Sequence, residues 1–266
     1  MLVLAWDTSA PEAAVGLVES DGSGRGGRLL KKTVLRGPAG HSAALPPAVS
    51  ELCDSPEALG AKPDLLACGR GPGSFTGLRV GLALAKGLGL GLDVPAVGVH
   101  SLLAMALAEF SRTGGAARLV APVVDARHGE VFSVLYRFPP AKTAGRQNPD
   151  NQENRQDLKN SGDPEPEALT GTLAAAPGRL GGTLAEASRG GAVTLVGPGL
   201  PLLPPGLWPG FLPGPVDPAS PEALADLAAY YLACGTLASH PPAPLYGRSP
   251  DIFKKWAPPA RLPARA

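Results

Sequence analysis

The sequence predicts an α/β protein of two lobes, each built on a βββαβα-like run. A short apolar strand that stops at an aspartate and turns into a hairpin occurs twice, ending at Asp7 and again at Asp125. Short apolar runs alternating with segments of helical spacing follow it. The chain has 266 residues, 44% of them apolar, enough to bury two packed lobes. The expected division is a first lobe over 1–100, a second over 101–240 and an extended tail over 241–266.

The elements follow in order. Residues 2–6 form an apolar run closed by Asp7-Thr8-Ser9. Ala13–Glu19 and Arg28–Leu35 read as strands joined by the glycine-rich turn 21–27. His41–Cys53 places Leu45, Val49 and Leu52 at helical spacing; its prolines 46 and 47 suit a first turn, so a regular helix is expected from near Leu45. Residues 64–69 read as a buried strand, 78–92 as a helix and 94–99 as a strand. A helix over 101–110 is expected with Ser101 as its cap. The pattern then restarts with strands at 118–125 and 130–138 around a turn at 126–129. Val193–Val196 is a short strand, and 221–238 is a helix capped by Ser220 with Pro221 at its first position. Residues 140–167 are dense in charged, amide and proline residues. They bury too little to offset their ordering entropy and read as a mobile insertion in the second lobe.

Composition excludes several classes. The net charge is +1, so no global field draws the chain to nucleic acid or to a membrane. Residues 190–216 carry no charge, but prolines at 198, 201, 204, 205, 209, 213 and 215 rule out a spanning helix there. The apolar start lacks a preceding basic region, so a secretory leader is not expected. Cys53, Cys68 and Cys234 form no CxxC pair, which favours a reducing, cytoplasmic setting over a disulfide framework. His41, His100, His128 and His240 make no HxxxH or HExxH pair. Neither a metal nor a cofactor is expected.

Three constellations remain. Gly71-Pro72-Gly73-Ser74-Phe75-Thr76-Gly77 lies between a strand and a helix and reads as an anion loop or as a tight turn whose glycines permit close packing. It lacks the lysine of a P-loop, and Ser74 sits in no GxSxG elbow. The helix after it carries small residues every fourth position: Gly77, Gly81, Ala85 and Gly89. They line one face and admit close helix packing. Leu78, Leu82, Leu84 and Leu88 occupy other faces, so the helix is either wholly core or seated by its small face with leucines toward a second protein. The turns Asp7-Thr8-Ser9 and 125–130, the latter with Arg127 and His128, suit a metal-bound phosphate or serve simply as turns. Arg248, Lys254 and Lys255, near Tyr246, Phe253 and Trp256, read as a tail packed back on the body by its aromatics, with RNA contact the alternative.

GRGPGSFTGLRVGLALAKGL at 69–88 resembles the TsaB (YeaZ-like) family of tRNA threonylcarbamoyladenosine biosynthesis. LAWDTS at 4–9, HSAALPPAV at 41–49, VDARHGEVF at 124–132 and LYGRSPDIFKKW at 245–256 are similar to further family segments, while 140–167 is not covered. The resemblance implies a two-lobed actin/Hsp70-like (ASKHA) fold with a duplicated mixed sheet. It implies a non-catalytic partner of the threonylcarbamoyltransferase TsaD, recruitment of the ATPase TsaE, and only indirect contact with tRNA. Helices 41–53 and 76–92 would meet TsaD or a second copy of the chain, with Leu45, Val49, Leu52, Leu78, Leu82 and Lys86 as the expected contacts. Asp7, Thr8, Ser9, Asp125 and Arg127 would then be vestiges of an ancestral nucleotide site. The double proline departs from the family pattern and could shorten the first contact helix. The rival expectation is an ATP-binding ASKHA enzyme, kinase-like or a glycoprotease-like hydrolase, using Asp7 or Asp125.

Overall fold

Strand β1 (Leu2–Asp7) is the hub of the first sheet because it is apolar on both faces and paired on both edges. Val3 and Ala5 enter one core, Leu4 and Trp6 the other, as strand alternation requires. It runs antiparallel to β2 (Ala13–Glu19) and parallel to β4 (Leu65–Gly69). With β3 (Arg28–Leu35) and β5 (Ala96–Val99) the order is β3-β2-β1-β4-β5. This computed structural model describes residues 1–22, 26–36, 41–54, 62–139, 166–205, 210–216 and 219–247, without the side chains of 41 and 42. The expected insertion, apart from its last two residues, and the basic part of the tail lie outside the described residues.

The second sheet repeats the plan. Strand β6 (Leu119–Arg127) is antiparallel to β7 (Glu130–Ser133) and parallel to β11 (Val193–Val196). The path β10-β7-β6-β11-β12 ends on β10 (Leu173–Ala175) and β12 (Phe211–Pro213). Short β8 (Tyr136–Arg137) pairs β6 and β9 (Glu167–Ala168). With β8 and β9 set aside, third, second, first, fourth, fifth is the spatial order in both lobes, so the strand order itself is duplicated.

The helices divide by layer. On the outer face of the first sheet, α1 (His41–Cys53) and α2 (Phe75–Leu92) cover Leu4, Trp6, Leu17 and Leu66. On the outer face of the second, α4 (Pro177–Ser188) covers Ala121, Val123 and Leu195. Between the sheets lie α3 (Ser101–Arg112) and α5 (Pro221–Ala233). These two cross over: α3 follows the first sheet but packs on β6, whereas α5 follows the second and packs on β1, β2 and β4. A boundary at residue 100 therefore marks the end of the first sheet rather than the limit of its core.

Local corrections have physical causes. Helix α1 begins at His41 and runs through Pro46 and Pro47 instead of starting near Leu45. Both prolines are exposed, so the backbone carbonyls they leave unbonded can reach water. The cap of α3 is His100, whose Nδ1 accepts from the Leu103 N–H at 3.4 Å. Ser101 Oγ instead accepts from the Gly71 N–H at 3.0 Å. The strand expected over 130–138 is broken into β7 and β8. Ser220 does cap α5, accepting from the Ala223 N–H at 3.1 Å, but the helix stops at Ala233, just before Gly235 takes φ +70°. Helix α4 escaped the sequence reading because paired glycines at 181 and 182 dilute its helical signal.

Candidate partner face and the closed strand-end turn

Helix α2 is seated by its small residues. Thr8 Oγ1 donates to the Gly77 carbonyl at 2.7 Å, and Trp6 Nε1 donates to the Gly81 carbonyl at 3.1 Å. A Cβ on Gly77 would strike the Thr8 carbonyl, and one on Gly81 the Thr8 hydroxyl. Ala85 is fully buried, and a Cβ on Gly89 would lie 3.1 Å from the Val94 carbonyl. The stripe at 77, 81, 85 and 89 thus brings the helix backbone down onto the first sheet.

The leucines expected to face a partner do not. Leu45, Val49, Leu52, Leu78 and Leu82 are buried among Leu4, Trp6, Leu17 and Leu66, with Leu82 only 3% exposed. Helix α2 is apolar nearly all round, and periodicity alone does not say which leucine row meets the sheet. The row beside the glycine stripe goes in, because the stripe draws its neighbours with it. Lys86 is exposed. The outward surface of α2 holds Arg79, Ala83, Lys86 and Gly87, with Leu90 at 86% exposure. Half-buried Leu84, Leu88 and Leu92 join Pro46, Val49 and Cys53 of α1 to line a groove of about 380 Å³ between the helices, with Lys62 at its edge. By length and composition α2 could cross a membrane, with 28% of it buried; its seat on the sheet makes it a helix of this lobe with an uncovered apolar side. Burial, reinforced by Asp54, pushes the Cys53 thiol above its ordinary value.

The turn at the end of β1 is closed by the chain itself. Asp7 Oδ1 accepts from the Ser9 N–H at 2.7 Å, and Asp7, Thr8 and Ser9 are all buried. The glycine loop folds over them: the Ser74 N–H donates to the Ser9 carbonyl at 2.7 Å, and a Cβ on Gly73 would strike that same carbonyl. Asp7 also lies against Gly69, where a Cβ would meet its carboxylate. Burial pushes the neighbouring Cys68 thiol well up, and the Asp7 charge adds to it. Of the two readings of GPGSFTG, the tight packing turn is the one the geometry favours.

The second turn shares the local chemistry. Asp125 Oδ1 accepts from the Arg127 N–H at 2.7 Å, and Asp125 Oδ2 pairs with Arg127 Nη1 at 3.2 Å. Arg127, His128 and Gly129 all have positive φ, making a tight hairpin tip. Among the described residues no three His, Cys, Asp or Glu side chains converge as a metal set.

The family described as "TsaD: tRNA N6-adenosine threonylcarbamoyltransferase" matches residues 38–189, more than half of the chain. The tRNA threonylcarbamoyladenosine biosynthesis protein TsaB of Escherichia coli is 40% identical over 100 residues, 38% of this chain and 42% of that protein. The protein of the same description from Haemophilus influenzae is 36% identical over 133 residues, 50% of this chain and 52% of its own length. The chain thus spans about half the length of the curated relatives it matches. A Pseudomonas aeruginosa crystal structure, described as an uncharacterized protein with similarity to peptidase YEAZ, superposes with a TM-score of 0.65 at 24% identity. It covers 93% of this chain and 99% of its own. At that identity the likeness speaks for the fold.

Proposed function

The chain belongs to the TsaD family matched over residues 38–189, and from that premise we propose that it is a non-catalytic member: a cytoplasmic partner of a TsaD-like paralogue, needed for threonylcarbamoyladenosine modification of tRNA beside the anticodon. The observation that carries this reading is helix α2, held to its own sheet by glycines while Leu84, Leu88 and Leu90 stay partly or wholly uncovered. With the α1 groove, that surface supplies an apolar centre with Lys86 and Lys62 at its rim, the usual anatomy of a protein interface. The names of the TsaB relatives support the pathway. The contact residues in this proposal are Leu88, Leu90, Pro46 and Lys86, replacing the buried leucines. A homodimer through the same helices, a TsaE-like ATPase in the larger assembly and indirect access to tRNA belong to the same proposal. The rival ATP-dependent enzyme would use Asp7 or Asp125; the glycine loop covers the Asp7 turn, and the Asp125 carboxylate is paired with Arg127.

The test is co-purification with the TsaD-like protein of the same cell, with modification assayed with and without this chain. Leu90→Asp should weaken the complex at least tenfold, about 1.4 kcal/mol, at unchanged melting temperature. Leu82→Asp should instead unfold the lobe, costing about 4 kcal/mol by burying an unpaired charge in a packed core. Full modification without the chain, or an unaltered complex with Leu90→Asp, counts against the proposal. Calorimetry with Mg-ATP on the isolated chain separates the rival: tight binding would favour it.

A further inference from the structure

Residues 240–247 carry no helix or strand, yet they are fixed at every step. The ring of His240 stacks on Tyr231 of α5, centroids 3.6 Å apart and planes within 3°. The His240 carbonyl accepts from the Gly98 N–H at 2.9 Å, on the edge strand β5. A Cβ on Gly98 would lie 2.5 Å from the Pro241 carbonyl, so the segment rests directly on that backbone. The Leu245 N–H donates to the Arg70 carbonyl at 2.7 Å, just beyond β4. Tyr246 packs on Phe75 at 5.2 Å, and Arg79 Nε donates to its hydroxyl at 3.4 Å. A Cβ on Gly247 would lie 2.6 Å from the Phe132 ring, which belongs to β7 of the other sheet.

The segment therefore follows the carboxyl ends of β4 and β5 and finishes against the second lobe. Those strand ends are where open α/β sheets receive ligands. Its line also begins on α5, which packs on the first sheet although it follows the second. We propose that residues 240–247 are a clasp that sets the angle between the lobes and covers these strand ends, and that its release lets the lobes move apart. The clasp stands apart from the partner face, since its interlobe contact is Gly247 on Phe132 and not α1 or the α1–α2 groove.

Two steric wedges and a truncation test it. Gly98→Ala should lift the near end by crowding the Pro241 carbonyl, and Gly247→Ala should lift the far end from Phe132. Neither glycine has a positive φ, so the added methyl acts through contact rather than through backbone strain. A chain ending at Pro244 removes the far half outright. The first readout is amide exchange: the amides at position 98 and at Leu245 should exchange at least tenfold faster in Gly98→Ala than in the wild-type chain, while Leu4 and Val15 keep their protection. The second is the distance between spin labels at Glu51 on α1 and Glu186 on α4, in a chain with Cys53 and Cys234 replaced by serine. Gly247→Ala and the truncation should broaden and lengthen that distribution. An unchanged distribution in both overturns the proposal, even if the tail itself exchanges faster. Retained binding to the TsaD-like partner would leave the functional proposal standing in either case.

Discussion

The two aspartate turns share their local geometry but not their surroundings. Asp7 ends the central strand of the first sheet and Asp125 lies two residues before the end of the central strand of the second, and each accepts from the N–H two residues on at 2.7 Å. Asp7 is 1% exposed, while the Asp125 side chain is 30% exposed and paired to Arg127. What separates them is the element that follows the fourth strand. In the first lobe it is GPGSFTG and α2, whose glycines let backbone settle on backbone. In the second, β11 leads to Gly197 and Gly199, which press on Val123 within β6, short of the Asp125 tip. The same turn thus becomes a buried joint in one lobe and a surface hairpin in the other.

Glycine substitutions should break the comparison most strongly. Gly77→Ala puts a methyl into the Thr8 carbonyl and displaces the Thr8 hydroxyl bond, at a cost of about 3 kcal/mol. The gain in helix propensity, at most about 1 kcal/mol, does not offset it. Gly129→Ala meets no atom within 4 Å and carries only the penalty of φ +76°, about 1 kcal/mol. Denaturant melts of the two variants should differ by that gap, and equal losses would mean that the first turn is not packed as described.

The aspartates sharpen it on a smaller scale. Asp7→Ala leaves the Ser9 N–H buried without its acceptor, which costs about 2 kcal/mol. Asp125→Ala removes an exposed ion pair and a bond that water can replace, at less than about 1 kcal/mol. Urea midpoints measured in parallel check the ratio.

The same contrast explains how much the sequence disclosed. The repeated strand-to-aspartate pattern was legible because alternation and an abrupt polar stop are local signals, and β2, β3 and β11 fall where that pattern puts them. The small-residue stripe was legible too, since spacing of four on a helix defines a face without knowledge of what it meets. Which leucine row lay beside the sheet was not, because Leu78, Leu82, Leu84 and Leu88 are chemically alike and only tertiary packing ranks them. The placement of α5 was equally hidden: it is apolar enough for either sheet, and the division at 101–240 assigns it to the second lobe although it packs on the first sheet. His100 as a cap was missed because serine is the commoner choice, and Ser101 stood next to it.

A pH response is expected at the first lobe's strand ends, where His100 follows β5. Burial, with help from the charge of Arg70, lowers the His100 pKa from 6.5 to about 4. The unfolded chain therefore binds a proton that the folded chain refuses as pH falls from about 6.5 to 4, and stability drops across that window. Asp226 on α5 works the other way. Burial raises it from 3.8 to about 6, against the opposing bond from the Gly27 N–H at 3.0 Å. Here the folded chain takes the proton first, so stability rises as pH falls from about 6 toward 3.8. The two slopes oppose, which keeps the net change in the wild-type chain within about 1–2 kcal/mol. His100→Asn retains an oxygen able to cap Leu103 but removes the ring's titration, so acid should then stabilise the chain through Asp226 alone. Asp226→Asn keeps an acceptor for Gly27 and removes the compensating gain, so the acid loss should steepen. Thermal melts at half-unit steps from pH 4 to 7 read both, and parallel curves in all three proteins would show that neither burial governs the acid limb.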